Sequence, residues 1–174
     1  MSAVTKKFVT FILIMLVAIA AIICCVYVLM TANHNNSNDK PSTVSSVELS
    51  AAQINKEVIE KMGYTGISEL ASGDVSGHID IPEDSITQVS FYVSDSSSSA
   101  TEIACFKLKD PDDDEALLVA ISDHISTKLK GFQDSPKESE YIKNYQTKTE
   151  NGYVFMVVSE NSDVAVKTFL DTVV

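Results

Sequence analysis

A run of 23 residues without a single charge, from Phe8 to Met30, constrains this chain more than any other feature. At about 1.5 Å per residue, a helix of this length reaches about 34 Å, which is enough to cross a hydrocarbon core of about 30 Å. A helix is expected because it satisfies its own backbone hydrogen bonds within the bilayer. The sequence therefore predicts a transmembrane helix over residues 8–30.

Two other interpretations of this segment stay open. Ala18-Ile19-Ala20 offers the pattern that a signal peptidase cleaves, but ten more apolar residues follow it, whereas a cleavable apolar core is normally about 7–15 residues long. Cys24 or Cys25 could carry a lipid, yet neither follows the small residue that lipidation normally needs. We favour an uncleaved signal anchor. A lipid on Cys24 or Cys25 would also keep the domain tethered to the membrane.

The charges on either side of the apolar segment predict its orientation. Lys6 and Lys7 precede it, so the positive-inside rule puts residues 1–7 in the cytoplasm and the rest outside a cell membrane crossed once. All 24 acidic residues follow Met30, with 11 of the 13 lysines, which gives the outer part a net charge of −13. This charge argues against nucleic acid as a partner and against flat adhesion to anionic lipid. We interpret it first as a source of solubility; attraction of cations or of a basic partner is the second interpretation.

The part after the apolar segment divides into a linker and one domain. Residues 31–46 are too polar to fold and predict a flexible linker, and residues 47–174 predict an extracytoplasmic domain. Cys105 is the one cysteine of that domain, which excludes an intrachain disulfide there. A domain of about 128 residues can fold on its hydrophobic core alone.

The spacing of apolar residues and turn residues predicts the order helix, hairpin, helix, hairpin, helix. The predicted elements are a helix over 47–63, a turn-rich segment over 63–84, strands over 86–93 and 101–109, a helix over 110–133, a short helical or looped piece over 136–144, strands over 145–150 and 153–159, and a helix over 163–174. Asn151-Gly152 is a strong hairpin signal. We expect an α+β domain of two layers, a mainly antiparallel sheet of about four strands with helices on one face.

The acidic run Asp110–Glu115 has two interpretations. As a helix start, Asp110 caps the free amides, Pro111 takes the first helical position, and the acids that follow complement the helix dipole. As a calcium loop, its alternate aspartates fit, but Glu115 replaces the required glycine and Ile121 replaces the final glutamate. We favour the helix start; a cation site is the alternative.

No motif in the sequence convincingly indicates a catalytic, metal-binding or cofactor-binding site. His34, His78 and His124 are not at ligand spacing, and we interpret His124 as a partly exposed helix histidine. Cys105 lies within a predicted strand, where a small buried thiol is the ordinary role. Ser37 to Lys40 matches a Ser-x-x-Lys pattern, but in the linker and without its partner motif. We therefore assign no catalytic, cofactor-binding or metal-binding residue.

Glu102 is the acidic residue in the least expected place, at the head of a predicted strand before Ile103-Ala104. It is either exposed at a sheet edge or paired with a lysine such as Lys128. We favour the pairing.

Several short segments together resemble a known family. These are the strand Thr101–Asp110, the acidic helix after it, Tyr141 ahead of a helix-to-strand turn, and Asn151–Val154. They resemble the family of domain of unknown function 4358, found mainly in Gram-positive bacteria, over about residues 47–172. The resemblance implies an extracytoplasmic domain behind a signal or lipid anchor, without an established activity. The residues around Cys24 and Cys25 depart from the lipidation pattern of many such proteins.

These observations favour a binding or accessory protein of the cell envelope that is not an enzyme. We expect it to use a sheet face or the loops of residues 66–82 and to need no cofactor. One alternative is an accessory subunit, beside another envelope protein, of an enzyme system that modifies envelope polymers. Another is a calcium-binding module.

Overall fold

Five antiparallel strands and four α-helices make up residues 48–174, the part of the chain that this computed structural model describes. The expected α+β class is therefore confirmed. The predicted membrane segment and linker, with Cys24, Cys25 and His34, lie outside the described residues. Among the helices of residues 48–174, none combines the length and the apolar character that crossing a membrane needs.

The elements follow the predicted order, with two additions. In chain order they are α1 (Ala51–Met62), β1 (Ile67–Glu69), a 3₁₀ turn (Val75–Gly77), β2 (Ile86–Ser94), β3 (Glu102–Leu108), α2 (Glu115–Gly131), α3 (Pro136–Lys143), β4 (Gln146–Glu150), β5 (Tyr153–Val158) and α4 (Ser162–Val173). The strand order in the sheet is β1-β2-β3-β5-β4, and each neighbouring pair is antiparallel. Strand β3 is therefore the central strand of the sheet, with β2 on one side and β5 on the other.

Helices cover both faces of this sheet, so the prediction of two layers with helices on one face was wrong. The side chains of Val154, Met156 and Val158 pack with α2 and α3, on what we term the α2 face. Those of Phe155 and Val157, on the opposite side of β5, pack with α1 and α4, on the α1–α4 face. The physical reason is that every residue of β5 is apolar, and such a strand must be covered on both sides.

The segment predicted to be turns contains a strand, so the sheet has five strands where about four were expected. Strand β1 pairs with the outer edge of β2, from Ile67 opposite Ser94 to Glu69 opposite Tyr92. Three residues are too few to show an alternating pattern, which explains why the sequence did not indicate it. The carboxylate of Glu69 helps to hold β1 in place, because it accepts a hydrogen bond from the Ser90 hydroxyl at 2.6 Å.

Helix α2 begins at Glu115, so the predicted cap at Asp110 was wrong. Residues 110–113 form a turn instead, in which the Asp113 amide donates to the Asp110 carbonyl at 3.1 Å. Proline suits the second position of such a turn as well as the first position of a helix, because both need the same φ. Asp114 occupies the position before the helix, and its carboxylate accepts a hydrogen bond from the Thr149 hydroxyl.

The predicted hairpin at Asn151-Gly152 is confirmed. Both residues have positive φ, 50° and 77°, which matches the right-handed twist of the strands that they join. A Cβ atom on Gly152 would lie 3.4 Å from the Cβ of Pro111, so the hairpin packs directly on the turn before α2.

We predict that Gly152→Ala lowers the free energy of unfolding by about 1–2 kcal/mol, because a side chain at positive φ is strained. Urea denaturation of the two proteins measures the difference. Gly73→Ala is the matched control, since a Cβ atom at that position would have open space within 4 Å and its φ is not positive. Equal losses in the two variants would contradict the role of the hairpin.

Candidate functional site

A buried cluster of three charged or polar side chains joins β3 to α2. Glu102 opens β3, and its side chain is only 3% exposed. The ammonium of Lys128 donates to its Oε1 at 2.6 Å, and the Nε2 of His124 lies 2.7 Å from its Oε2. The predicted pairing of Glu102 with Lys128 is thus confirmed, and we term these three residues the charge cluster.

The cluster follows from two local periodicities. Glu102 shares the strand parity of Ala104 and Phe106, which places all three on the α2 face of the sheet. His124 and Lys128 are four residues apart on α2, so their side chains lie on the same side of the helix. Buried isoleucines of α2, Ile121 and Ile125, fix the helix on the sheet.

The carboxyl group of Glu102 is ionised. Desolvation by burial raises its pKa, but the hydrogen bond with His124 and the charge of Lys128 outweigh desolvation and leave the pKa below its ordinary value of 4.5. A buried carboxylate with both oxygens bonded to nitrogen donors is the arrangement that keeps such a group charged.

Both ring nitrogens of His124 face oxygen acceptors. Its Nδ1 lies 2.7 Å from the backbone carbonyl oxygen of His78, and its Nε2 lies 2.7 Å from the carboxylate of Glu102. Neither nitrogen therefore points at a hydrogen-bond donor. Glu102 is held by Lys128 and His124 together, and the backbone at His78 fixes the orientation of the ring.

Aromatic rings close two sides of the cluster. The Phe91 ring meets the His124 ring edge-on, with the ring centres 5.9 Å apart. The ammonium of Lys128 lies 5.4 Å from the centre of the Phe132 ring, a favourable contact between a cation and an aromatic face. These rings exclude water, which strengthens the interactions among the charges.

Two surface clefts adjoin the cluster. The first, of about 360 Å³, lies beside the turn between β2 and β3 and is lined by four serines of residues 94–99, by Phe132 and by the cluster itself. We term it the serine cleft. The second, of about 490 Å³, lies beside Asp80 and Asp123, and we term it the acidic cleft. Both clefts are bordered by His124 and by His78, so the ring of His124 lies between them.

Of the other residues considered from the sequence, Cys105 and Asp110 lie apart from this cluster, and His78 borders it through its backbone. Cys105 is buried on the α1–α4 face, and burial raises the pKa of its thiol. His78 contributes its carbonyl, while its ring packs 6.2 Å from that of Phe91. The carboxylate of Asp110 accepts from the Asp112 amide within its turn. Within residues 48–174, no three His, Cys, Asp or Glu side chains are grouped as metal ligands would be.

The sequence did not indicate that His124 belongs to the cluster. Its spacing of four residues from Lys128 was a usable signal, because it placed both side chains opposite Glu102 once the pairing of Lys128 was assumed. The His78 carbonyl left no signal, since any residue supplies a backbone carbonyl.

Comparison with known proteins gives one match. The model of a family described as Domain of unknown function (DUF4358) matches residues 50–159, which is more than half of the chain and includes the whole charge cluster. No curated protein and no solved structure matches the chain.

We predict that Glu102→Gln lowers the free energy of unfolding by about 3–5 kcal/mol, because it leaves the buried ammonium of Lys128 without its counter-charge. Chemical denaturation at neutral pH measures this loss. Glu57→Gln removes a carboxylate that pairs with Lys61 at 2.7 Å on the surface of α1, and it should change the stability by no more than about 0.5 kcal/mol. A loss of the same size in both variants would show that burial of the cluster contributes nothing.

The depressed pKa of Glu102 also predicts how stability depends on pH. A carboxyl group with a lowered folded-state pKa stabilises the domain fully above its ordinary value of 4.5, and this contribution is lost as the pH falls through the folded-state value. The difference in unfolding free energy between the unmodified chain and Glu102→Gln should therefore shrink below pH 4.5. A difference that stays constant in acid would contradict an ionised Glu102.

Proposed function

This chain belongs to the DUF4358 family, and we propose that residues 48–174 are a non-enzymatic binding or accessory domain of the cell envelope. In this proposal the segment Phe8–Met30 anchors the chain in the cell membrane as a single pass. Lys6 and Lys7 then lie on the cytoplasmic side, and the acidic domain lies outside.

The observation that carries the proposal is the occupancy of both ring nitrogens of His124. A general base needs a free lone pair within hydrogen-bonding distance of the proton that it removes. Each nitrogen of His124 is instead occupied, one by the His78 carbonyl and one by Glu102. The ring therefore has no site at which it could accept a proton from a serine hydroxyl or a water molecule in either cleft.

The candidate nucleophiles lead to the same proposal. Cys105 is buried, and because burial raises the pKa of its thiol, the reactive thiolate is disfavoured. The hydroxyls of the serine cleft bond to one another and to their own turn: Ser96 bonds with Ser98 at 2.8 Å, and Ser99 donates to Thr101 at 3.2 Å. Within residues 94–99 these contacts supply turn geometry and no activating base.

The same features suit a binding surface. The charge cluster connects β3, α2 and the segment that follows the 3₁₀ turn, so the floor of the serine cleft is fixed from three directions. A ligand that meets such a preformed floor loses less of its binding free energy to ordering the protein. Hydroxyl groups at the rim can exchange hydrogen bonds with water for hydrogen bonds with a ligand.

We predict that cysteines introduced on the two sides of the anchor react differently in intact bacterial cells that express the full-length chain. Ser97→Cys, on the exposed turn of the domain, should react with a maleimide that cannot cross membranes, because that turn lies outside the cell. Ser2→Cys is the control and should react only after lysis; the unmodified chain gives the background. The reverse pattern would contradict the proposed orientation.

The binding role itself is tested with purified full-length chain and isolated cell-wall polymer. We expect the chain to sediment with the polymer and to leave its covalent bonds intact, as judged by mass spectrometry of the soluble products. Release of fragments that stops in a His124→Gln variant would overturn the non-enzymatic role. A failure to sediment would count against binding to this polymer.

A further inference from the structure

We propose that the serine cleft binds an oxyanion, a phosphate or carboxylate group of a larger ligand, against the ammonium of Lys128. This inference rests on the binding role proposed above and adds the chemistry that the cleft recognises. It follows from the buried ammonium of Lys128, from the donors that face the cleft, and from the distribution of charge around them.

The charge cluster holds donor hydrogens that its one carboxylate does not use. The side chains of Lys128 and His124 are only 13% and 8% exposed, and within residues 48–174 the ion pairs of both go to the single carboxylate of Glu102. An ammonium removed from water with hydrogens left unbonded is unfavourable, so such a site favours an additional acceptor, above all a charged one.

The acidic side chains near the cluster, on the elements packed around it, do not contact Lys128. Asp123 precedes His124 on α2, but neighbouring helix residues do not face each other, and Asp123 lines the acidic cleft. Asp95 on the serine turn accepts from the Ser68 hydroxyl, and Glu138 of α3 accepts from the backbone amide of Ala100 at 2.7 Å. Among the residues that line the serine cleft, Glu102 is the one carboxylate, so the ammonium of Lys128 meets no second carboxylate there.

The donors at the cleft suit an oxyanion. The ammonium of Lys128 has three hydrogens and uses one on Glu102, while the Phe132 ring covers another side of it. Ser97 and Thr127, whose hydroxyls make no hydrogen bond within residues 48–174, line the same cleft, while Ser96 and Ser99 bond within their own turn. Ammonium and hydroxyl groups together make short, charge-assisted hydrogen bonds to phosphate and carboxylate oxygens. A volume of about 360 Å³ accommodates such a group with several neighbouring ligand atoms.

The charge of the whole domain narrows the ligand further. Residues 48–174 belong to the part of the chain with a net charge of −13, which repels a polyanion as it approaches. The ammonium of Lys128 acts at contact, within a screening length of about 8 Å at physiological ionic strength. The cleft therefore fits a ligand with one oxyanion group on an otherwise neutral, hydroxyl-bearing body.

Thermal unfolding of the full-length chain in detergent micelles tests this. Sodium phosphate, sodium acetate and sodium chloride are compared at equal ionic strength, because chloride reports the general screening of an acidic domain. We expect phosphate, acetate or both to raise the melting temperature saturably beyond chloride, since a ligand that binds only the folded state stabilises it. Phosphate alone identifies a phosphate site, and acetate alone identifies a carboxylate site.

Two pairs of variants locate the effect. Ser97→Asp adds a negative charge at the rim of the cleft, and Ser126→Asp adds the same charge at an exposed position elsewhere on α2. Lys128→Met removes the ammonium, and Lys130→Met does the same at an exposed position. Ser97→Asp and Lys128→Met should weaken the apparent affinity by at least about tenfold, because like charge at the contact or loss of the cation removes the attraction. The two controls should keep the affinity of the unmodified chain.

An equal rise in all three salts, or equal affinity in Ser97→Asp and Ser126→Asp, would overturn the inference. If Lys128→Met does not fold, the serine pair decides alone. Sedimentation with cell-wall polymer that neither phosphate nor acetate displaces would leave the binding role standing and remove the oxyanion site. Stabilisation by phosphate that depends on Ser97, in a chain that does not sediment with the polymer, would support the oxyanion site and count against binding to this polymer.

Discussion

The burial of β3 and β5 on both faces is the constraint on which the rest of this domain depends. Every residue of β5 is apolar, and β3 is buried from Glu102 to Phe106. Such a pair is stable only with helices on each side, which requires α1 and α4 on one face and α2 and α3 on the other. Once α2 lies against β3, the acidic head of that strand is enclosed and must find cationic partners.

The sequence predicted the parts of this arrangement that have local causes. The Asn151-Gly152 hairpin, the family and the pairing of Glu102 with Lys128 are all confirmed, because each depends on short segments or on the cost of burying a charge. The helices on both faces of the sheet were not predicted, because Lys107 and Lys109 suggested that one face of β3 is exposed to solvent. Strand β1 was missed because three residues show no period, and the start of α2 because Pro111 fits two geometries.

Only part of the candidate site could be predicted from the sequence, because one of its contacts is made by the backbone. Side-chain chemistry indicated Glu102 and Lys128, but the orientation of His124 depends on a backbone carbonyl that any residue at position 78 would provide. Local geometry therefore sets a contact that composition cannot show. It also places the buried ammonium of Lys128 inside a strongly acidic domain, where its effect is confined to contact distance.

The outer strands of the sheet have a consequence for copies of the chain that meet one another. A bare strand edge pairs readily with another chain. Here one edge is the three-residue β1, and the other is β4, whose sequence Gln-Thr-Lys-Thr-Glu is polar throughout. A short edge and a charged edge both discourage pairing between the sheets of two copies. The fold thus limits aggregation through its strand edges.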